Sequence, residues 1–207
     1  MKGRSFIKAG RIYVKLPKYI GGWLRARYAS PAECYAPVRL PETAHPAGAI
    51  IYKHLVANPG MRALTPRCIS ADMFDMDPET APDDIRSGLP KGKCRDEYVP
   101  IAIPKAHFYM GRWIADGTWM QLGPIDAKNF IGFIEQEFWE SFDEYIDDKK
   151  EYIRRRYPKR AFVFYDAILD FMELYCINID DTDAMYRAAK RRKEAEKKRR
   201  VVNGEMF

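Results

Sequence analysis

The segment PIDAKNFIGFIEQEFWESFDEYI, residues 124–146, decides the fold that we expect for this chain of 207 residues. Its large apolar residues recur at every third or fourth position: Phe130, Ile134, Phe138, Phe142 and Tyr145. This spacing is typical of an amphipathic helix, and Asp126 is suited to cap its first turn. The segment therefore predicts a long helix with one wide apolar face.

The composition changes at the beginning of this segment. Thirteen of the 14 prolines and 11 of the 13 glycines lie at or before Pro124. Because proline and glycine interrupt regular structure, the first part should consist of short elements and long loops, and the second of long helices. The sequence thus predicts two parts, residues 1–124 and 125–207.

The first part carries patterns for a few strands and two helices. Strands are predicted at Ile12–Leu16, Val38–Leu40 and Tyr98–Ile103, and helices at Lys18–Tyr28 and Ala47–Val56. Pro100 should restrict the third strand to the edge of a sheet or to a bulge. Residues 57–97 hold five prolines and an acidic stretch, so we expect a long, largely irregular excursion there.

The second part ends in two further helices. Apolar periodicity predicts a helix at Phe162–Tyr175, followed by a turn rich in capping residues and by a last helix from Thr182 toward Arg200. The fold class predicted is α+β, with a C-terminal three-helix module of helix–turn–helix-like spacing. Gly is absent from the turn, which is longer than the compact type.

Charge is distributed unevenly along the chain. The 35 Lys+Arg and 29 Asp+Glu give a net charge of +6, which resolves into +8 for residues 1–28, −8 for residues 29–186 and +6 for residues 187–207. Two basic ends around an acidic centre favour a polyanionic partner.

The last helix carries the strongest functional signal. Beyond Lys190 it has almost no apolar residue to bury, while its cations suit DNA phosphates. We therefore predict a non-enzymatic protein that binds duplex DNA. The candidate contacts are Arg187, Lys190, Arg191, Arg192, Lys193, Lys197 and Lys198, assisted by an N-terminal arm with Lys2, Arg4, Lys8 and Arg11.

Two other classes stay open. In an assembly module, the acidic residues 135–148 of one molecule would attract the basic tail of another and form a homo-oligomer. In a metal-dependent nuclease, carboxylates such as Asp83 would hold Mg²⁺. The Asp147-Asp148-Lys149 triplet is expected on a helix, where it fits such a site poorly.

The sequence predicts no metal, cofactor or membrane span. The cysteines and histidines, among them Cys34 and His45, stand far apart, unlike the close ligand pairs of structural zinc. No window of about 18 apolar residues occurs. Four scattered cysteines and the lack of a secretory signal favour a cytoplasmic setting.

The chain resembles uncharacterised proteins of bacterial mobile elements and prophages, particularly those of Bacteroidetes. The resemblance rests on Tyr13-Val14-Lys15-Leu16-Pro17, on Val99-Pro100-Ile101-Ala102-Ile103-Pro104, and on a C-terminal pattern that runs from Tyr165-Asp166-Ala167-Ile168-Leu169-Asp170-Phe171-Met172 through Asp183-Ala184-Met185-Tyr186-Arg187 to Lys190-Arg191-Arg192. The resemblance implies no established activity, but it favours an accessory or regulatory role on DNA over a role in metabolism.

Overall fold

The computed structural model describes residues 11–28, 37–41, 45–58, 68–70, 74, 77, 79, 96–103 and 119–202. The strands are β1 (Arg11–Lys15), β2 (Leu55–Asn58), β3 (Cys68–Ser70), β4 (Tyr98–Ala102) and β5 (Trp119–Leu122). The helices are α1 (Lys18–Tyr28), α2 (Pro46–His54), α3 (Pro124–Arg156), α4 (Phe164–Leu174) and α5 (Thr182–Val202). The predicted fold class is confirmed: the protein is α+β, with strands in the N-terminal part and helices in the C-terminal part.

The chain forms two compact units, Met1–Phe138 and Trp139–Phe207. The change of composition at Pro124 marks the beginning of α3, whereas the units divide within this helix. The first half of α3 belongs to the N-terminal unit because its buried Phe138 packs edge-to-face on Trp23, with ring centroids 5.5 Å apart.

In the first unit, β1 is the central strand of an antiparallel sheet with the order β3-β1-β4. The alternating sequence predicts a half-buried strand, but Ile12, Tyr13 and Val14 are all buried. The Tyr13 ring stacks on Phe74, with centroids 3.8 Å apart, so both faces of β1 are covered.

The strand β4 lies at the edge of this sheet, one of the two places that Pro100 allows. The Pro100 carbonyl accepts a hydrogen bond from the Val38 N–H, and the Val38 carbonyl accepts one from Ala102. The Pro100 nitrogen therefore points away from β1, where its missing N–H costs no bond of the β1–β4 ladder. Of the strand predicted at Val38–Leu40, the structure contains the single bridge Val38–Ile101.

The predicted excursion 57–97 contains regular structure. Its first residues belong to β2, which pairs with β5, and β3 pairs with β1. These strands are short and find partners far along the chain, which a local pattern cannot reveal. Most other residues of the excursion lie outside the described ranges.

In the second unit, α4 ends in a Schellman motif. The Ile177 N–H donates to the Met172 carbonyl, the Cys176 N–H donates to the Glu173 carbonyl, and Cys176 has a φ of 50°. Asn178 then caps a 3₁₀ turn at Ile179–Asp181, which leads into α5. Cys176 thus occupies the left-handed position that glycine usually takes.

Candidate nucleic-acid interface

One face of α5 is anchored in the core of the second unit. Thr182, Met185 and Ala189 are buried at helical spacing, and the Phe164 and Tyr186 rings pack with centroids 6.1 Å apart. The apolar part of this face ends at Ala189, as the sequence indicates. The anchored face fixes which residues α5 presents to solvent.

Arg192 continues the anchored face as a charged residue. Its guanidinium bonds the Asp143 carboxylate of α3, pairs with Glu196 at 3.1 Å and lies 5.4 Å from the centroid of the Trp139 ring. Arg192 thus holds α5 on α3. Its guanidinium, which was predicted to contact a nucleic acid, is bonded to carboxylates of the protein itself.

Lys193 also lies against the unit. Its ammonium is 3.7 Å from the centroid of the Phe164 ring, a close cation–π contact. Partial burial lowers the pKa of Lys193, and the positive charge of Lys150 on α3 lowers it further. The contacts of Arg192 with Asp143 and Trp139 likewise place the middle of α5 against α3.

The other predicted cations of α5 form an exposed face, called here the basic stripe: Arg187, Lys190, Arg191, Lys197 and Lys198. At 3.6 residues per turn, they project on the side opposite Met185 and Ala189. Glu194 is the single acid among them. None of the five makes an ion pair with a residue that the structure describes, so their charges stay available to an external anion.

Backbone contacts orient two members of the basic stripe. Arg187 Nε donates to the Asp183 carbonyl at 3.1 Å, and Arg191 Nε donates to the Arg187 carbonyl at 3.3 Å. Each arginine bends toward the preceding turn, as helix geometry favours. The two guanidinium groups are therefore partly pre-arranged on the helix surface.

The beginning of α5 is acidic. Asp180, Asp181 and Asp183 occupy the 3₁₀ turn and the first turn of the helix. Acids at this end suit the helix macrodipole, but they repel phosphate. The basic stripe is consequently confined to the middle and the end of α5.

Of the predicted N-terminal contacts, Arg11 is the one that the structure describes. Arg11 lies on β1 in the first unit, where its guanidinium is 5.3 Å from the Tyr13 ring centroid. Lys2, Arg4 and Lys8 lie outside the described residues.

A second group of cations, not assigned by the sequence argument, lies where α3 ends. Arg154, Arg155 and Arg156 occupy its last turn, and Lys159 and Arg160 follow in the loop to α4. All five are exposed, and Arg156, Lys159 and Arg160 form no ion pair within the described part of the chain. The run of seven bases in residues 149–160 signalled this group, although the macrodipole alone accounts for bases at a helix end.

A polar cluster in the first unit was also missed. His45 caps α2: its Nδ1 accepts from the backbone N–H of Ala47 at 3.1 Å and of Gly48 at 3.4 Å. The His45 Nε2 then bonds the Glu137 carboxylate on α3, which also binds Tyr28 Oη and pairs with Arg27 at 3.2 Å. Because both His45 nitrogens are engaged, no lone pair is left for general-base chemistry.

The electrostatics of this cluster are those of a satisfied internal site. Burial alone would raise the pKa of Glu137, but hydrogen bonds from His45 and Tyr28 lower it below the usual value. Burial and the hydrogen bond to Glu137 raise the pKa of Tyr28. Glu137 therefore stays ionised and ties α1, α2 and α3 together.

Two of the remaining candidates for metal chemistry, Asp147 and Lys149, are engaged in ion pairs. Asp147 binds Lys150 at 2.6 Å, and Lys149 binds Asp170 at 2.8 Å, while Asp83 lies outside the described residues. Among the residues described, no group of three or more His, Cys, Asp or Glu could hold a metal ion.

Of the helices described, none has both the length and the apolar character needed to cross a bilayer. No family model, curated protein or solved structure matches the chain.

Proposed function

We propose that the protein is a non-enzymatic nucleic-acid-binding protein that contacts duplex DNA through the basic stripe of α5. The observation that carries the proposal is the division of α5 into two faces. One face is fixed to the unit by Met185, Ala189 and Arg192, and the other presents five cations without carboxylate partners. Cations without internal partners do not stabilise the fold, but they can bind the phosphates of a polyanion.

The stripe has dimensions that suit a DNA backbone. From Arg187 to Lys198 it covers about 16 Å of helix axis, at 1.5 Å per residue. Each phosphate that a cation neutralises releases condensed counterions, so five contacts predict a log–log salt dependence of the binding constant of about −4 to −5. Binding should be strong at low salt and weaken steeply as salt is added.

The acidic beginning of α5 determines the mode of binding. A recognition helix reads bases with residues near its N-terminus, where this helix carries Asp183 and follows Asp180 and Asp181. Because these carboxylates repel the phosphates that flank a groove, α5 lies along the backbone instead of entering the groove end-on. We therefore infer recognition with little sequence preference.

The structure weakens one premise of the assembly alternative. In that alternative the acidic face of α3 waits for the basic tail of another molecule, yet Asp143 of this face is bonded to Arg192 of the same chain. An accessory or regulatory role in a phage or mobile element stays part of the proposal and is supported by the sequence resemblance. A cytoplasmic setting also stays part of it and is supported by the scattered cysteines.

The test compares two triple variants that remove equal charge. Arg187→Gln/Arg191→Gln/Lys198→Gln removes three cations of the stripe, and Lys18→Gln/Arg39→Gln/Lys128→Gln removes three exposed cations of the first unit. We expect the first variant to lower the salt slope for a blunt 20-base-pair duplex by about 3, at about 0.9 per contact, and the second to keep the wild-type slope.

Two results would overturn the proposal. One is the absence of binding by the wild-type protein at 50 mM salt. The other is equal weakening by both variants, since net charge and not the stripe would then be responsible. Assembly would be favoured instead if the full chain is a dimer and the chain that lacks residues 187–207 is a monomer.

A further inference from the structure

A cleft in the second unit lies where α3 ends and α4 begins. It has a volume of about 260 Å³, and its walls are formed by Tyr152 and Ile153 of α3, by Tyr157 and Arg160 of the connecting loop, and by Asp166 of α4. Pockets that enclose a drug-sized ligand measure about 300–1,000 Å³. This cleft is therefore of a size for a single planar group, not for a large cofactor.

Two exposed tyrosines give the cleft its chemistry. The side chains of Tyr152 and Tyr157 are 54% and 46% exposed, and their rings meet edge-to-face with centroids 6.3 Å apart. An edge-to-face pair leaves ring surface open to solvent, and exposed tyrosine rings are common platforms for stacked bases.

Arg160 lines the cleft, and Arg156 and Lys159 lie close to it along the chain. All three are exposed and form no ion pair within the described ranges. Arg156 also lines a second, more open depression next to Tyr152, together with Asp148 and the ion pair of Arg155 with Glu151. Aromatic rings bordered by several cations are typical of proteins that bind single-stranded nucleic acid.

The interior of the cleft disfavours phosphate. Lys149 is committed to Asp170 at 2.8 Å, a bond that raises the pKa of Lys149, and the exposed Asp166 forms no ion pair with a described residue. A carboxylate in this position repels a phosphate but accepts a hydrogen bond from the amino group of a base. The base should thus lie against Asp166, and the phosphates on the exposed cations, among them Arg160 in the wall of the cleft.

We propose that this cleft holds one unpaired nucleobase of a nucleic acid whose neighbouring phosphates lie on Arg156, Lys159 and Arg160. The inference rests on the proposed function and deepens it: the preferred ligand is a duplex with an unpaired end. Arg192 of α5 bonds Asp143 of α3, so the helix that carries the stripe is joined directly to the helix that ends at the cleft.

The experiment measures the affinity of the full chain for two probes, a blunt 20-base-pair duplex and the same duplex with a four-nucleotide 3′ overhang that contains 2-aminopurine. Stacking of one base is expected to strengthen binding to the overhang probe by about fivefold to 150-fold. Stacking should also quench the fluorescence of the 2-aminopurine, whose amino group can donate a hydrogen bond to the Asp166 carboxylate.

Variants locate the effect in the cleft. Tyr152→Ala and Tyr157→Ala should lower the affinity for the overhang probe to that for the blunt duplex, whereas Tyr152→Phe keeps the ring and should keep the preference. Tyr165→Ala is the matched control, because Tyr165 is an exposed tyrosine of α4 outside the cleft. Circular dichroism checks that each variant is folded.

The outcomes separate this inference from the proposed function. Equal wild-type affinity for the two probes, with loss of both in the stripe variant, overturns the base site and leaves duplex binding by α5 intact. A preference for the overhang that survives Tyr152→Ala and Tyr157→Ala overturns the assignment to this cleft. Failure to bind either probe at 50 mM salt overturns both proposals.

Discussion

The polar cluster around Glu137 in the first unit and the basic stripe on α5 in the second unit use charge in opposite ways. The Glu137 carboxylate accepts hydrogen bonds from His45 and Tyr28 and forms an ion pair with Arg27, so its charge is paired inside the protein. The five stripe cations have no such carboxylates within the described ranges. A charge that is paired inside the protein contributes to stability, whereas a row of like charges without internal partners costs stability and is available to an external anion.

Arg192 lies at the boundary between these two cases. Its neighbours in the sequence are cations, yet its bonds to Asp143 and Glu196 pair its charge inside the protein, as in the Glu137 cluster. The comparison therefore predicts that stability and DNA affinity respond to different residues, even to neighbours in sequence.

The largest effect is expected at His45. His45→Ala removes both the cap of α2 and a partner of the half-buried Glu137, which together should lower the free energy of unfolding by about 3 kcal/mol. His45→Asn is the control: its side-chain oxygen can still cap Ala47 and Gly48, so about 1 kcal/mol should be recovered.

Urea denaturation measures this difference, and the affinity for the blunt duplex should not change in either variant. If His45→Ala is as stable as the wild-type protein, the cluster does not hold α2 to the first unit. If it loses DNA binding while remaining folded, the separation between the two kinds of charge is wrong.

A smaller effect separates Arg191 from Arg192. Arg192→Gln should lower the free energy of unfolding by about 1 kcal/mol, because a half-exposed ion pair and a cation–π contact are lost, and should leave the salt slope unchanged. Arg191→Gln should reduce the salt slope by about 0.9 and change the unfolding free energy by less than about 0.5 kcal/mol.

This pair is the sharpest test of the comparison, since the two residues are adjacent and chemically identical. Denaturation gives the unfolding free energy of each variant, and salt titration gives its salt slope. We expect the unfolding free energy to fall in Arg192→Gln alone and the salt slope to fall in Arg191→Gln alone. Equal changes in both variants would show that the two faces of α5 have no separate roles.

The pattern of these contacts explains what could be predicted from the sequence. The periodicity from Phe130 onward predicts α3, and the capping residues before Thr182 predict the beginning of α5 at the observed residue. The exposed residues of the stripe follow from the lack of an apolar face after Ala189. These features depend on local spacing, which the sequence contains directly.

The partners could not be predicted. Arg192 and Asp143 are 49 positions apart, and His45 and Glu137 are 92 apart, so only tertiary packing brings them together. The end of α4 could not be predicted for another reason: Cys176 adopts a φ of 50°, at a cost in free energy, where a glycine would be expected from the sequence. The open cleft at Tyr152 likewise depends on how α3 and α4 pack.

The smallest expected effect is the dependence of stability on acid. The pKa of Glu137 is lowered in the folded protein, so its contribution to stability is present above the unfolded-state pKa of about 4.3 and is lost as the pH falls through the lower folded-state value. Glu137→Gln keeps a hydrogen-bonding side chain but cannot titrate, so its unfolding free energy should decline less below pH 4.3 than that of the wild-type protein. Urea denaturation of both proteins between pH 3 and pH 6 measures the difference. If the unfolding free energies of the two proteins have the same pH dependence, the fold does not stabilise the Glu137 charge. Glu137 would then not be an example of an internally paired charge that differs from the charges of the α5 stripe.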